Sequence, residues 1–364
     1  MKIKEICAYL ESIAPIVLQE TYDNSGLIVG DENTEVTGVL ISLDTTEKVV
    51  EEAIAKKCNL IISHHPIVFS ELKKITGKNY IERTIINAIQ NNIGIYAAHT
   101  NMDNVINGVN AKIAERIGLK NCRILSPKSN VLKKLVTFCP VEKAEEVRKA
   151  LFKVGAGNIG NYDECSFNTE GTGTFRASEN ATPFVGSIGE RHYEKEVKIE
   201  TVYYIYQEKN IINALLKAHP YEEVAYDLYS LSNASAQIGS GMIGELEEEM
   251  EPLNFLKFLK KEMQTHCIRY TSTLGKKVKK VAICGGSGSF LLSNAIQSGA
   301  DVFVTADYKY HQFFDADNKI IIADIGHFES EQFTKELFYE FLKKKNYTFA
   351  ILLSEMDLNP INYL

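Results

Sequence analysis

The sequence lacks several features that would place it in a specialised class of protein. It has no C-x-x-C pair, and its seven scattered cysteines, an odd number, argue against a disulfide framework or a thiolate zinc site. No apolar run approaches the length of a membrane span. No repeat of about 20–50 residues and no low-complexity segment occurs, which disfavours a solenoid or a propeller. We therefore expect a protein with reduced thiols in the cytoplasm.

Positive charge is also not in excess. The chain has 40 Lys and Arg residues against 47 Asp and Glu residues, a net charge of -7, so its surface as a whole does not suit nucleic acid or anionic lipid. Residues 1–19 carry charges among their apolar positions, which predicts an amphipathic helix and not a signal peptide. We expect neither a membrane nor a nucleic-acid partner.

The chain of 364 residues, with 45% hydrophobic and 24% charged residues, has the composition of a globular protein. At roughly 100–200 residues per domain, its length suggests two or three folded units. The first third alternates predicted strands, at 36–44, 59–66 and 93–100, with predicted helices, at 45–58, 79–92 and 105–119. This alternation predicts βαβ units and a largely parallel sheet.

The pattern changes after residue 130. A strand at 133–140, a helix at 141–155, a Gly/Ser/Thr-rich stretch up to Gly189, a strand at 198–206 and a helix at 209–219 are typical of an α+β module. The α/β alternation then resumes with strands at 279–286, 300–307, 318–326 and 349–355 and helices at 289–299 and 329–346. One α/β domain is therefore predicted to be interrupted by a second module.

Histidines and carboxylates follow several predicted strands. His64 and His65 follow the apolar run of 60–62, and at a strand end two adjacent rings can reach two neighbouring ions. A hydrogen-bonded pair of loop histidines is the alternative. The next strand ends at His99, with Asp103 shortly after it, and Asp103 could instead cap a helix that begins near residue 105.

A third group lies at the start of the last long helix. His327 and Glu331 are four residues apart, so both side chains face the same way and can share a metal centre, although first-turn acids also favour the helix dipole. Because the carboxyl ends of strands in an open α/β sheet line one crevice, the three groups together predict a two-metal site. The nitrogen and oxygen ligands suit Zn, Mn, Fe, Co or Ni.

Two further features surround this set. Asp307 and His311 follow the predicted strand 300–307 and could orient ligands or transfer protons, or could be surface turn residues. The glycine-rich turn at 284–289 could present backbone N–H groups to a phosphate, although it lacks the P-loop lysine and could be only a tight turn.

Five ordered motifs carry a resemblance to a known family: Y-D-N-S-G-L at 22–27, S-H-H-P at 63–66, H-T-N-M-D-N at 99–104, T-A-D-x-x-x-H at 305–311 and G-H-x-x-x-E at 326–331. In this order they resemble the Nif-three-like family, also catalogued as type-two homologues of GTP cyclohydrolase I. The resemblance implies a dinuclear metal centre, with His99 as a nearby accessory group. The implied ligands are His64, His65, Asp103, His327 and Glu331.

The resemblance also implies the architecture. The expected fold class is α/β, with a two-lobed Nif-three-like domain formed by 1–127 and 235–364 and interrupted by a ferredoxin-like α+β insert at 128–232. K-A-H-P-Y-E-E-V-A-Y-D at 217–227 resembles the last helix-strand corner of the PII/CutA type of module. Members of the family assemble into a toroidal homohexamer whose metals face an inner cavity.

Two function hypotheses follow. The first is a dinuclear metal-dependent hydrolase with two divalent ions per chain, zinc first, in which a water of lowered pKa attacks carbon or phosphorus while His99 or His311 moves protons. By resemblance the substrate is GTP, opened at its imidazole ring with release of formate, and a phosphoester is the open alternative. The second is a non-catalytic metal-binding regulatory assembly whose insert senses a small molecule or a partner.

Overall fold

A computed structural model describes residues 1–364, which form two compact units, one of residues 1–127 with 237–364 and one of residues 128–236. The helices are α1 (Ile3–Ile13), α2 (Glu47–Ala55), α3 (Tyr80–Gln90), α4 (Thr100–Asp103), α5 (Val109–Arg116), α6 (Ala144–Lys153), α7 (Glu208–Ala218), α8 (Pro252–Glu262), α9 (Leu292–Gln297), α10 (His327–Glu331) and α11 (Thr334–Lys343). None of them combines the length and the apolar character that crossing a membrane requires.

The strands form three sheets. They are β1 (Gly26–Val29), β2 (Gly38–Ser42), β3 (Leu60–Ser63), β4 (Gly94–Ala97), β5 (Lys120–Pro127), β6 (Leu132–Pro140), β7 (Ser166–Arg176), β8 (Arg191–Tyr204), β9 (Tyr226–Leu231), β10 (Gly239–Met250), β11 (Arg269–Tyr270), β12 (Val278–Ser287), β13 (Val302–Ala306), β14 (Ile321–Asp324) and β15 (Ala350–Leu353). Two sheets belong to the discontinuous unit and the third to the 128–236 unit.

The first sheet has the strand order β1-β4-β3-β2-β15. Strands β4, β3, β2 and β15 are parallel, and β1 is antiparallel to β4. Strands β2, β3 and β4 are buried along their whole length, as their continuous apolar runs predict for parallel strands covered on both faces. Val50 of α2 and Ile85 of α3 pack with Leu40 and Ile61 in one buried core.

The second sheet has the order β11-β14-β13-β12-β10-β5. Its three inner strands β12, β13 and β14 are parallel, while β11, β10 and β5 pair antiparallel with their neighbours. Leu292 and Ala295 of α9 pack against Phe303 and Ile322 in its core. The predicted parallel sheet is therefore found as two mixed sheets, each with a parallel interior.

The unit of residues 128–236 runs β6-α6-β7-β8-α7-β9 and forms an antiparallel sheet of order β7-β8-β6-β9. Val147 and Leu151 of α6 and Ile211 and Leu215 of α7 pack against Leu135 in its core. The two helices therefore cover one face of this sheet. Residues 166–176 of the Gly/Ser/Thr-rich stretch form β7, which pairs with β8 over its full length.

Several helices are shorter than predicted, and for two of them the structure shows the reason. The helix predicted at 105–119 begins only at Val109, because Val105 forms a bridge with Ile238 and the Ile106 N–H donates to Gln237 O. The helix predicted at 329–346 consists of the separate helices α10 and α11. Both differences come from contacts or breaks that helical periodicity does not encode.

Candidate metal centre

His64 and His65 lie immediately beyond β3, where the backbone leaves the strand. Their two N–H groups both donate to Leu43 O, at 3.1 and 3.0 Å, so the chain turns at this point. Side chains of adjacent strand residues point to opposite faces, but this turn brings the two imidazole centroids to 4.9 Å from each other. The two imidazole rings therefore belong to the same cluster of side chains.

His99 and Asp103 bracket the short helix α4. His99 precedes the helix, and Asp103 is its last residue, which excludes the alternative that Asp103 caps the following helix, since Gly108 precedes α5. The His64 Nε2 and Asp103 Oδ1 atoms are 3.7 Å apart. The His64 and His99 ring centroids are 5.2 Å apart. His99 and Asp103 therefore both lie beside His64.

Glu331 occupies the centre of the cluster. Its Oε2 atom is 2.9 Å from His65 Nε2 and 3.1 Å from His327 Nε2, and its Oε1 atom is 3.7 Å from His64 Nε2. The His327–Glu331 spacing lies within helix α10, as the sequence predicts. The carboxylate is buried, with 3% of its side chain exposed, and so faces both histidine groups at once.

The ligand atoms form overlapping groups in which all atoms lie within 4.8 Å of one another. Two of these groups share the Glu331 carboxylate, and a third joins three histidines. The groups are His64, Asp103 and Glu331, then His65, His327 and Glu331, and finally His64, His65 and His99. All six side chains thus belong to a continuous cluster.

Each of the four imidazole rings is held through its Nδ1 atom, which leaves Nε2 directed at the cluster. Fixing one ring nitrogen by a carboxylate or a carbonyl is the usual arrangement for metal-ligating histidines. The pairs are His64 with Ala98 O at 2.9 Å, His65 with Asp44 at 2.8 Å, His99 with Asp23 at 2.8 Å and His327 with Asp307 at 2.7 Å.

Two buried polar atoms in the cluster have no hydrogen-bond partner: His64 Nε2 and Asp103 Oδ1. Burying an unsatisfied nitrogen and a carboxylate oxygen costs free energy, and a divalent cation between them would satisfy both. The donor set of imidazoles and carboxylates suits a borderline divalent cation. The residues present therefore fit a metal ion.

The pKa of His64 is shifted in the opposite direction to those of His65 and His327. Burial lowers the pKa of His64, whose ring is fully buried. Burial also acts on His65, but Asp44 and Glu331 outweigh it and raise the pKa of His65 to about 10. Against the same effect of burial, Glu331 and Asp307 raise the pKa of His327 to about 11.

The pKa values of the two carboxylates, Asp103 and Glu331, are shifted in opposite directions. Burial, with Glu331 nearby, raises the pKa of Asp103 well above its ordinary value. Burial would raise the pKa of Glu331 as well, but its histidine partners, His327 first, hold it well below the ordinary value. Such opposed shifts are typical of functional clusters.

The cluster opens into a cavity of about 790 Å³, within the range of small-molecule sites. Phe69 packs edge-on to His99 with ring centroids 5.4 Å apart. Tyr22 and Phe290 also line the cavity, and both are exposed. A ligand in this space could therefore contact both the histidine cluster and aromatic rings.

The sequence leaves two alternatives open for His311 and two for the glycine-rich turn. His311 is exposed, packs against Tyr310 and Phe314 and does not line the cavity, so it is not placed to move protons there. In the glycine-rich turn, the Gly285 and Gly286 N–H groups already donate to Asn110 and Ser330, at 3.0 and 2.9 Å. Those two amides are therefore not free to bind a phosphate.

Sequence reasoning missed two carboxylates, Asp23 and Asp44. Asp44 is the last residue of the predicted strand 36–44, which includes β2, so its position at a strand end was the available signal. Asp23 lies within the first motif, but no spacing linked it to His99. Burial opposes its ionisation, yet hydrogen bonds from His99 and Thr100 hold the pKa of Asp23 well below its usual range.

The site is a cluster of histidines and carboxylates that could hold a metal ion, and it lies at the ends of parallel strands. A family model described as Duf34/NIF3 (NGG1p interacting factor 3) matches residues 1–360. The chain therefore belongs to the Duf34/NIF3 family, and the resemblance carried by the ordered motifs is confirmed.

Close relatives are similar over almost the whole chain. A Halalkalibacterium halodurans protein named GTP cyclohydrolase 1 type 2 homolog is 39% identical over 359 residues, 97% of this chain and 96% of the relative. A Bacillus subtilis protein of the same name is 38% identical over 367 residues, 99% of this chain and 98% of the relative. A solved Bacillus cereus protein related to NIF3 superposes with TM-score 0.87 at 40% identity, covering 100% and 99% of the two chains.

Proposed function

We propose that this protein is a dinuclear metal-dependent hydrolase. The observation that carries the proposal is the sharing of Glu331 between two ligand groups whose atoms lie within 4.8 Å of one another. A carboxylate between two sets of ligands can bridge two divalent ions. One site would use His64 and Asp103, and the other would use His65 and His327.

Zinc is the first metal to test, and Mn, Fe, Co and Ni suit the same ligands. When bound, divalent ions polarise a substrate oxygen and lower the pKa of water toward neutrality. His99 is the protein group best placed for proton transfer, because its Nδ1 atom is engaged by Asp23 and its ring lies beside His64 and His65.

GTP and phosphoesters are the substrate classes that we propose. The names of the relatives, GTP cyclohydrolase 1 type 2 homolog, make GTP the first candidate. The aromatic side chains of Tyr22, Phe69 and Phe290 along the cavity suit a planar base. A phosphoester is the alternative, since two ions can bind both the attacking and the leaving oxygen.

A regulatory metal-binding assembly is the second candidate function. It is favoured by a separate cavity, of about 730 Å³, that lies wholly within residues 128–236 and could receive a small molecule. A regulator would bind metal without turnover, whereas a hydrolase loaded with metal would release product. The two candidates therefore differ in an assay of activity.

Further proposals concern the insert and the assembly. We infer that residues 128–232 form a ferredoxin-like module inserted between 1–127 and 235–364. The element order β6-α6-β7-β8-α7-β9 and the strand order β7-β8-β6-β9 support this assignment. A toroidal homohexamer and a cytoplasmic location stay predictions, testable by sedimentation and by cell fractionation.

The first experiment is elemental analysis of protein purified without a chelator. We expect about two transition-metal ions per chain in the wild type and clearly fewer in Asp103→Ala and Glu331→Ala. His311→Ala is the matched control and should retain the metal, because this histidine lies outside the cavity. Full metal occupancy in both carboxylate variants would contradict the assignment of the ligands.

The second experiment measures turnover by the metal-loaded protein. GTP is assayed by formate release and a chromogenic phosphomonoester by phosphate release, each with wild-type protein and with His311→Ala. Loss of turnover in Glu331→Ala, but not in His311→Ala, supports the hydrolase. Metal-loaded protein that converts neither substrate would favour the regulatory function.

A further inference from the structure

An apolar wall of the cavity at the histidine cluster extends from the core of the first sheet. The wall consists of Val68, Phe69, Leu72, Ile81 and Leu358, all of which line the cavity. Four of them pack against the buried core of the first sheet, and the fifth, Phe69, lies edge-on to His99 with ring centroids 5.4 Å apart. An apolar group held at the cluster would therefore contact this wall.

The chain beyond β15 completes the wall. Residues 354–364 form no helix or strand, and part of this segment lines the cavity. Its Asn359 Nδ2 atom donates a 3.2 Å hydrogen bond to Glu329 Oε1, and Glu329 belongs to α10, the helix that begins at His327. Leu358 is therefore held next to the helix that supplies two of the proposed ligands.

The lining of the cavity contains carboxylates but no lysine or arginine. The carboxylates are Glu20, Asp44, Asp103 and Glu331. Histidines that bind a metal ion are neutral, and two divalent ions would offset the four carboxylates. Little positive charge then remains to attract a chain of several phosphate groups.

Backbone N–H groups do not supply the missing positive charge. Polyphosphate sites combine Lys or Arg with free N–H groups of a glycine-rich turn or a helix N-terminus. In the glycine-rich turn, the Gly285 and Gly286 N–H groups already donate to other residues. The N-terminus of α2 borders the cavity at Thr46, but Asp44 and Glu47 flank it with negative charge. The surroundings of the cluster therefore favour a ligand with a single phosphate group.

We propose that the substrate is a phosphate monoester of an apolar, aromatic alcohol, whose ring packs against the apolar wall. This substrate class rests on the hydrolase proposed above and is the second of the two classes named there. In the reaction, the oxygen of a water molecule forms a bond to phosphorus, and the bond from phosphorus to the alcohol oxygen breaks. A proton of that water passes to the alcohol oxygen, so the products are inorganic phosphate and the free alcohol.

Two phosphonates test the apolar wall, because their phosphorus–carbon bond is not hydrolysed. Benzylphosphonate carries an aromatic ring, and methylphosphonate carries the same charged group without the ring. Isothermal titration calorimetry with the metal-loaded full chain measures their binding. We expect benzylphosphonate to bind at least about tenfold more tightly, because the wall removes the ring from water.

A variant of the wall locates the bound ring. Phe69→Ala should weaken the binding of benzylphosphonate at least about threefold and leave the binding of methylphosphonate unchanged. Phe314→Ala is the matched control and should change neither, since Phe314 is also exposed but lies outside the cavity. Circular dichroism verifies that each variant is folded.

A second pair of probes tests the charge of the cavity. Guanosine monophosphate and GTP share the base and the sugar and differ by two phosphate groups. We expect GTP to bind the wild type no more tightly than the monophosphate. Ser70→Lys adds a positive charge to the exposed part of the lining and should raise the affinity for GTP more than the affinity for the monophosphate. Ser12→Lys, exposed on α1 and outside the cavity, should change neither affinity.

Equal binding of the two phosphonates, or wild-type binding of GTP at least about tenfold tighter than that of the monophosphate, would overturn this substrate class. Elemental analysis of the titrated samples separates that failure from a failure of the proposed function. Protein that retains its metal and prefers GTP leaves the hydrolase in place with a different substrate. Protein that holds no metal contradicts the hydrolase itself, and the monoester with it.

Discussion

At the scale of single residues, the cluster depends on side chains that are not themselves among the expected ligands. Asp44 and Asp307 hold the imidazole rings of His65 and His327 by their Nδ1 atoms. Such partners fix the tautomer and the direction of the other ring nitrogen. The arrangement of the ligands is thus set as much by these carboxylates as by the histidines.

Replacing Asp307 by Asn tests this orientation. Asp307 has φ of 59°, a conformation that Asn tolerates, so Asp307→Asn should change the charge and hydrogen bonding without new backbone strain. We expect metal affinity to fall about 10–100-fold, measured by competition with a chelator. Asp317→Asn, at φ of 46° and paired with Lys319, is the matched control and should bind metal normally.

A glycine beside the cluster gives a second test. A Cβ atom at Gly286 would lie 2.5 Å from Glu331 Oε1, so Gly286→Ala should displace the shared carboxylate and lower the metal content. Gly299→Ala is matched, since φ is 71° there against 60° at Gly286 and its Cβ atom would meet nothing within 4 Å. Equal metal content in the two variants would show that the position of Glu331 is not critical.

At the scale of elements, the ends of parallel strands bring the site together. β3 and β4 of the first sheet lead to His64 and His99, and β14 of the second leads to His327. The short helix α4 and the short helix α10 then supply the carboxylates Asp103 and Glu331. The parallel interiors of both sheets are therefore the parts of the fold on which the cluster depends most.

The edge of the first sheet depends on a buried carboxylate of α2. Glu52 accepts hydrogen bonds from Ser354 Oγ at 2.5 Å and from the Glu355 N–H at 2.9 Å, just beyond β15. Burial opposes ionisation, but these bonds and Lys56 lower the pKa of Glu52. The stabilisation is therefore present above the ordinary pKa of 4.5 and is lost as the pH falls through the lowered value.

Glu52→Gln should accordingly destabilise the protein by about 1–3 kcal/mol at neutral pH. The difference from the wild type should shrink in acid, because the wild-type carboxylate becomes protonated there. Urea unfolding at several pH values measures both. Glu51→Gln changes an exposed neighbour on the same helix and should have little effect at any pH.

At the scale of the whole molecule, the insertion interrupts a pair of hydrogen-bonded strands. β5 and β10 are antiparallel neighbours in the second sheet, and Pro127 pairs with Gly239. Paired residues in antiparallel strands are about 5 Å apart, so a short turn can connect the two strands. The discontinuous unit should therefore fold without residues 128–236.

Replacing residues 128–236 by a short glycine-serine turn tests this independence. We expect a folded protein that retains the metal content of the full chain, because every member of the cluster lies in 1–127 or 237–364. Circular dichroism, thermal unfolding and elemental analysis measure the result. An insoluble product, or one without cooperative unfolding, would contradict the separation of the units.

The sequence by itself determined the alternation of elements, the strand ends and the residue types of the cluster. Buried parallel strands appear as apolar runs, and the chemistry-bearing residues follow within two residues of the strand end, as His64 and His99 do. The spacing of His327 and Glu331 encodes their common helix face. These are local properties, which periodicity and adjacency record.

Only the tertiary structure decided which distant residues meet. Asp23 reaches His99, and Glu331 reaches His64 and His65, through contacts between elements far apart in the chain. It also separated His311 from the site, since four residues after Asp307 a 3-10 turn carries it to the surface. Such pairings depend on how sheets and loops pack, which no local pattern of the chain specifies.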